Sequence, residues 1–440
     1  MRKFIRINIA DPELFSKKLL ILEKEFSNIA ILDSNGHPDF CSSQSIGNSY
    51  ETIAAIGSLD ELSSLNGKWI APLENYLTGS RDWLFGHLGY DLKNEIESLT
   101  SSNPDRIKFA MAGFFRPRYI FTIRNKILEA GWNTDYNHEH EVRRLVKNID
   151  SGPLPGLKEG SCICKVDEII SRAEYLKTVE KIKDHIKRGD IYEANFCQEF
   201  YSENANIDPS SIWLRLIKES PAPFSCFYKR DDKYLLCASP ERFMKKTGNR
   251  IISQPIKGTA KRGKTGTDDR DLSDLLASDP KERAENIMIT DLVRNDLSRI
   301  AERASVKVDE LCNVYPYPGV FQMQSSISAR LPVKTGIDDI IKAMFPMGSM
   351  TGVPKIRAME IIEQYEKTRR GLYSGAVGYI TPDTDFDFNV VIRSIQYDRV
   401  TSNLSFMVGG AITGMSVAVK EYEECLLKAG AILRVLGGGI

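Results

Sequence analysis

One six-residue stretch, Ser151-Gly152-Pro153-Leu154-Pro155-Gly156, interrupts an otherwise regular alternation of strand-like and helix-like runs. Prolines that lack an N–H, set between glycines, cannot continue a helix or a central strand, so the stretch is turn chemistry and the best candidate for a boundary. We therefore expect an N-terminal region, 1–155, and a second region, 163–437. For 440 residues this means two or three ordinary domains, or one large core with an accessory lobe. Before the break, Tyr119-Ile120-Phe121-Thr122-Ile123 reads as strand and 141–149 as a charged helix. Beyond it, helix-period segments over 171–187, 280–304, 354–364 and 417–436 alternate with β runs such as Tyr234-Leu235-Leu236-Cys237 and 372–380. There is no internal repeat and no low-complexity tract.

Composition narrows the function classes. Hydrophobic residues make up 42% and charged residues 27%, and 59 basic side chains balance 59 acidic ones, as in a soluble globular protein with no nucleic-acid footprint. The eight cysteines are scattered apart from Cys162 and Cys164, whose one-residue gap is the spacing of neither a metal clip nor a helix turn, so we expect reduced thiols and a cytoplasmic protein. No apolar run resembles a secretory signal or a membrane span. All five histidines, His37, His87, His138, His140 and His185, lie in the first half at spacings that support neither a triad nor a zinc site.

The chemistry concentrates in the second region. Gln254-Pro255-Ile256-Lys257-Gly258-Thr259 places a lysine between a strand and a glycine turn. Alone it reads as a solvated side chain; as a nucleophile it would have to be neutral, helped by a dry pocket or by Lys261, Arg262 and Lys264 nearby. Asp279-Pro280 suits the start of a helix that carries Glu282 and Glu285 on one face, Glu282 at the position that commonly completes a capping box. Glu421 and Glu424 repeat that spacing on a later helix, with Lys428 one turn on. Each set could be a solvated face; facing each other, they would supply oxygen ligands for Mg²⁺. Phe345-Pro346-Met347-Gly348-Ser349-Met350-Thr351-Gly352-Val353-Pro354 is a glycine-rich loop entering a helix whose free N–H groups suit a carboxylate, and Gly409-Gly410 permits another close backbone approach. Gly258 to Thr265 satisfies the Walker A pattern, but we expect Gly266-Thr267-Asp268-Asp269 to continue as loop, which argues against phosphate binding.

From about 165 to 435 the chain resembles the chorismate-utilising enzymes. The resemblance rests on Gly189-Asp190-Ile191-Tyr192-Glu193-Ala194-Asn195, Ala238-Ser239-Pro240-Glu241-Arg242-Phe243, the lysine hexapeptide, Asp291-Leu292-Val293-Arg294-Asn295-Asp296, the Gly348 loop and Arg370-Gly371-Leu372-Tyr373-Ser374-Gly375, in the family's order. Lysine at 257 is similar to the aminodeoxychorismate synthase branch, whereas the anthranilate synthase branch carries alanine there. The resemblance implies an α+β fold of two large packed antiparallel β-sheets flanked by helices. It also implies amination of chorismate at C4 for 4-aminobenzoate and folate, with Lys257 as nucleophile and Glu241 as general acid. Implied too are Mg²⁺ on Glu285 and Glu424, with Glu282 and Glu421 adjacent, and a substrate pocket of Glu193, Thr259, Ser349, Tyr373, Arg393, Gly409, Gly410 and Lys428. Ammonia would come from a separate glutamine amidotransferase subunit. Two departures stand out: relatives that activate water have a lysine at the position of Glu193, and Gln322 stands where many relatives have a histidine. The alternatives are an anthranilate synthase component I and a catalytically silent subunit that activates an amidotransferase.

Overall fold

A computed structural model of the chain describes residues 1–37, 50–62, 64, 67–156, 162–263 and 265–437. Apart from a short ladder of Cys162–Ile163 with Asn206–Ile207, the strands form two antiparallel layers. The first runs from Asp167–Glu168 and Glu193–Ser202 through Asn403–Thr413, Ser394–Asp398, Lys233–Ser239, Phe224–Arg230, Asn28–Asp33 and Thr52–Glu61 to Ala112–Arg124, Ile127–Asn133 and Arg2–Asn8. The second runs from Leu84–Leu88 through Ala376–Ile380, Phe386–Asn389, Arg242–Thr247 and Arg250–Gln254 to Val320–Arg330, which also carries Ile256–Lys261 and Lys307–Tyr317. The long Ala112–Arg124 strand belongs to both, because its first residues also pair with Leu84–Leu88. Hydrogen bonding thus links the two layers into one 20-strand network.

The period of two along each strand explains how the layers pack. Cys226, Tyr228, Leu235 and Cys237 of the first sheet meet Phe85, Val377 and Tyr379 of the second in one buried cluster. Their sequence neighbours Phe227, Tyr234 and Leu236 face the other way, toward Tyr175, Val179, Trp213, Ile361 and Cys425 of the helices outside the first sheet. Leu84, Leu88, Ala376 and Ile380 likewise face Ile289, Val293 and Ile340 of the helices outside the second. Strands covered on both faces need apolar residues at every position, which is why Tyr234 to Cys237 is an unbroken apolar run. The expected α+β class with two packed antiparallel sheets and flanking helices is the observed one.

The segments on either side of 151–156 share both sheets: Asn28–Asp33 lies on Phe224–Arg230, and Leu84–Leu88 on Ala376–Ile380. Three of the expected helices appear as Arg172–Lys187, Lys355–Tyr365 and Ala418–Val435. The fourth, Pro280–Ser298, stops short of 304, and soon after it Glu302 donates its N–H to the Arg330 carbonyl of a strand. The strand expected over 372–380 begins only at Ala376; Leu372 to Gly375 form a turn closed by Gly375 N–H to Leu372 O, with Ser374 at φ +62. No described helix is long and apolar enough to cross a membrane.

Candidate active site

Lys257 owes its position to a bulge. Ile256 lies opposite Gln324 and Thr259 opposite Gln322, so three steps on one strand match two on its partner. Gly258 takes up the extra residue at φ +98, where a Cβ would sit 3.1 Å from Glu282 Oε2 and 3.2 Å from Met323 Cβ. The position therefore needs glycine twice over, for its backbone angle and for its closeness to the helix. Asn286 on that helix fastens the bulge, its amide donating to the Lys257 and Met323 carbonyls at 3.2 Å each.

Thus displaced, Lys257 Nζ donates to Glu193 Oε1 at 3.0 Å, and the pair is buried, with 10% and 1% side-chain exposure. Burial alone would lower the ammonium pKa; Glu193, Glu285 and Glu241 outweigh it and hold it above its ordinary value. Arg262 pairs with Asp269, and Lys264 lies outside the described residues. Glu241 is buried in the short connection between the Lys233–Ser239 and Arg242–Thr247 strands, where Ser349 Oγ donates to its Oε1 at 2.6 Å. Desolvation pushes its carboxyl up to about 7, against the opposing pulls of Ser349 and Lys257.

The two pairs of helical glutamates converge on Lys281. Its Nζ is 3.7 Å from Glu285 Oε1 and 4.0 Å from Glu421 Oε1, and Glu282 and Glu424 also raise its pKa against the pull of burial. Glu282 does not complete a capping box: Asp279 receives the Lys281 and Glu282 N–H groups, while its own N–H goes to Leu276 O. Burial pushes the Glu285 carboxyl up to about 7. Its Oε1 has no hydrogen-bond partner, and neither has the buried Glu193 Oε2. Lys428 bridges Glu424 Oε1 at 2.8 Å and the Gly409 carbonyl at 2.9 Å, and on balance keeps Glu424 below its ordinary pKa although burial opposes it. Gly410 lies so close that a Cβ would be 3.5 Å from Glu421 Oε2. Among the described residues no closed cage of three metal-binding side chains forms. Mg²⁺ requires only one or two carboxylates beside water and substrate oxygens, and an orphaned buried carboxylate oxygen among glutamates fits such an ion.

The remaining expected residues extend this surface. Gly409 packs on Cys197, whose thiol is 3.8 Å from the Tyr373 hydroxyl. Arg393, at φ +49, donates to Ser220 Oγ at 3.4 Å. Desolvation lowers its pKa and only Tyr317 opposes this, so no carboxylate among the described residues balances the charge. Burial pushes the nearby Tyr317 phenol up, and the charges of Arg242, Arg393 and Glu241 all act on it. Thr259 is exposed beside Lys257, and Gln322 opposite it is buried with an unpartnered Oε1. The Gly348 loop contributes Ser349 rather than an open amide cradle. Met350 and Thr351 N–H groups are used inside the turn, and Gly352 and Val353 pair with Ala194 and Glu193.

The Walker-like segment departs from expectation. A helix does begin there, at Gly266, because Thr265 caps it by accepting the Asp268 N–H. Phosphate binding is disfavoured for a different reason: Gly258 to Lys261 are strand, and the Asp269 carboxylate already occupies the Gly263 N–H at 2.8 Å. Three residues went unseen in the sequence reading, Asn286, Lys281 and Tyr317. Only Lys281 had a legible signal, one helical turn before Glu285.

The sequence profile of chorismate binding enzymes matches residues 31–434. Aminodeoxychorismate synthase component 1 of Bacillus subtilis is 39% identical over 263 residues, 60% of this chain and 55% of that protein. Anthranilate synthase component 1 of Thermus thermophilus is 31% identical over 385 residues, 86% of this chain and 82% of that one. The chain spans about half the length of several curated relatives, 43 to 58%. The crystal structure of anthranilate synthase component I from Streptococcus pneumoniae matches with a TM-score of 0.72 at 23% identity, covering 98% of this chain and 92% of that one, a likeness of fold.

Proposed function

The chain belongs to the family of chorismate binding enzymes, and from that premise we propose that it acts as component I of an aminodeoxychorismate synthase, replacing the 4-hydroxyl of chorismate with an amino group. The observation that carries this reading is Lys257 itself, turned by a bulge onto Glu193 and held near Glu241 and Glu285. An anthranilate-forming relative needs no amine at this point.

Lys257 adds to C2 of the ring as the 4-hydroxyl departs, and Glu241, whose carboxyl burial pushes up to about 7, gives that hydroxyl its proton. Ammonia then adds at C4 and the bond to Lys257 breaks. Arg393, lacking a carboxylate partner, suits the enolpyruvyl carboxylate, as the fork of a guanidinium accepts one in two parallel hydrogen bonds. Tyr373, Lys428 and the Gly409-Gly410 backbone bound the same space. Glu285 and Glu424, with Glu282 and Glu421 beside them, would hold Mg²⁺, which when bound offsets the negative charge of the ring carboxylate. The ammonia source is a glutamine amidotransferase subunit, and the product is destined for 4-aminobenzoate and folate. The buried free thiols of Cys197, Cys226, Cys237, Cys312 and Cys425 suit the reducing cytoplasm.

The similarity to the Thermus protein supports a second reading, anthranilate synthesis. Incubating the chain with chorismate, ammonium and Mg²⁺ separates the two. Aminodeoxychorismate without pyruvate is the expected outcome; anthranilate with stoichiometric pyruvate would establish the second reading.

A further inference from the structure

The reaction proposed above draws Glu193, Ser349 and Tyr373 from three segments distant in sequence, and one buried side chain joins all three. Glu366 follows the Lys355–Tyr365 helix, and Arg370 pairs with it from four residues further on, at the start of the turn that carries Tyr373. Their side chains are 3% and 1% exposed. A guanidinium has five N–H groups, and here all are used. Nε donates to Glu366 Oε2 at 3.0 Å and Nη2 to Glu366 Oε1 at 2.7 Å. The rest reach past the ion pair: Nη2 to the Asn195 carbonyl at 2.8 Å, and Nη1 to the Met350 carbonyl at 2.7 Å and Ser374 Oγ at 3.1 Å. Asn195 lies just beyond Glu193 on its strand, Met350 follows Ser349, and Ser374 follows Tyr373. Between the bonded carbonyls the strand and the loop touch directly, Asn195 N–H donating to Thr351 O at 2.7 Å. Glu366 Oε1 also accepts the Cys197 N–H at 2.9 Å, and the Tyr90 ring covers the guanidinium at 4.5 Å.

A buried ion pair is a poor source of stability, since apolar side chains of the same volume often serve as well or better. What a guanidinium adds is direction, because its planar fork fixes several bonds at once. We propose that Arg370 is the positioning residue of this site: by clamping the Asn195 and Met350 carbonyls to Ser374 it sets Ser349 against Glu241 and fixes the backbone beside Glu193 and Tyr373. This inference rests on the reading of Glu241 as the general acid. Arg370 has no N–H to spare for a substrate, so it acts only through the segments it joins. The Ser349 bond to Glu241, 2.6 Å long, is the contact most exposed to its loss, because Ser349 precedes the carbonyl that Arg370 holds.

Arg370→Lys keeps a charge opposite Glu366 but replaces the planar fork with three donors on one nitrogen. Its kcat, followed as chorismate consumed at saturating ammonium and Mg²⁺, should fall at least tenfold. The pH profile separates positioning from mere support of the fold. Against the burial that pushes the Glu241 carboxyl up, Ser349, the Lys257 ammonium and the Ile256 backbone all pull it down. Glu241 works protonated, so loosening Ser349 should move the alkaline limb of kcat to higher pH. Ser349→Ala should move it the same way, and Arg370→Lys added to Ser349→Ala should move it no further. Glu366→Gln combined with Arg370→Met removes both charges, strands neither, and should give the same shift. A limb that stays at the parent's pH in the folded variants, shifts that add, or failure of both Arg370 variants to fold would make the pair a support for the fold alone and overturn the proposal. Because the assay follows chorismate and not product, anthranilate from the parent would refute the amination reading without deciding this one.

Discussion

In the proposed reaction Lys257, stored as a cation, has to react as an amine. The site keeps it charged because three carboxylates outweigh the burial that would discharge it, so the reactive form depends on moving a proton to a neighbour it already touches, Glu193. This has a consequence for stability as well as rate. Lys257→Ala should lose several powers of ten in turnover, because no other described amine contacts Glu193. It should also leave Glu193, 1% exposed, without its counter-charge, which typically costs about 3–5 kcal/mol. Combining Lys257→Ala with Glu193→Gln removes the stranded charge, so the double variant should recover most of the lost stability and none of the turnover. Chemical denaturation of the parent, both single variants and the double decides it; strictly additive losses would mean that the ion pair contributes nothing.

Among the elements, the bulged Ile256–Lys261 strand positions the chemistry. A regular strand would alternate Lys257 to a fixed face; the extra residue at Gly258 re-aims it, and Asn286 locks the result to the Pro280–Ser298 helix. Gly258→Ala should therefore cost about 1–3 kcal/mol, the usual scale for a side chain at a strained backbone angle. It should lower turnover further than stability predicts, since the lysine moves with the bulge. Melting temperature and turnover measured on the same preparation check this, and near-parental activity at reduced stability would disconnect the bulge from catalysis. The sequence showed this region unevenly. The Asp279-Pro280 start was legible because capping chemistry is local, and the Glu-x-x-Glu spacing because helical period is local. The bulge was not, because it exists only relative to a partner strand some 65 positions away, at Gln322 and Gln324. Nor was the placement of Lys281 among four glutamates, which depends on the approach of two helices distant in sequence.

For the whole molecule, the same logic separates what composition and period revealed from what topology added. Strand and helix types followed from periodicity, and the two-layer class from resemblance. The segments on either side of 151–156 share both sheets, a long-range pairing that local turn chemistry does not display. Two interlocked layers also bury titratable groups far from the site, which gives stability a pH dependence of its own. Desolvation lowers the pKa of His87, held neutral between Tyr228 and Ala110, to about 3; its contribution is present above the ordinary 6.5 and is lost as pH falls. Glu199 acts in the opposite sense. Burial pushes its carboxyl up to about 7, with Ser405 and Arg106 pulling it down. The folded state thus binds its proton more tightly than the unfolded chain does, and that stability, complete below 4.5, is lost as pH rises through about 7. The two effects partly cancel between pH 4.5 and 6.5, so the parent's curve alone does not isolate either. Glu199→Gln does, because glutamine carries no charge to desolvate at any pH. Without magnesium, the melting temperature of Glu199→Gln relative to the parent should be higher at pH 8 than at pH 5, with activity at saturating substrate little changed. A difference that stays constant between the two pH values would show that Glu199 ionises in the folded protein as readily as in the unfolded chain.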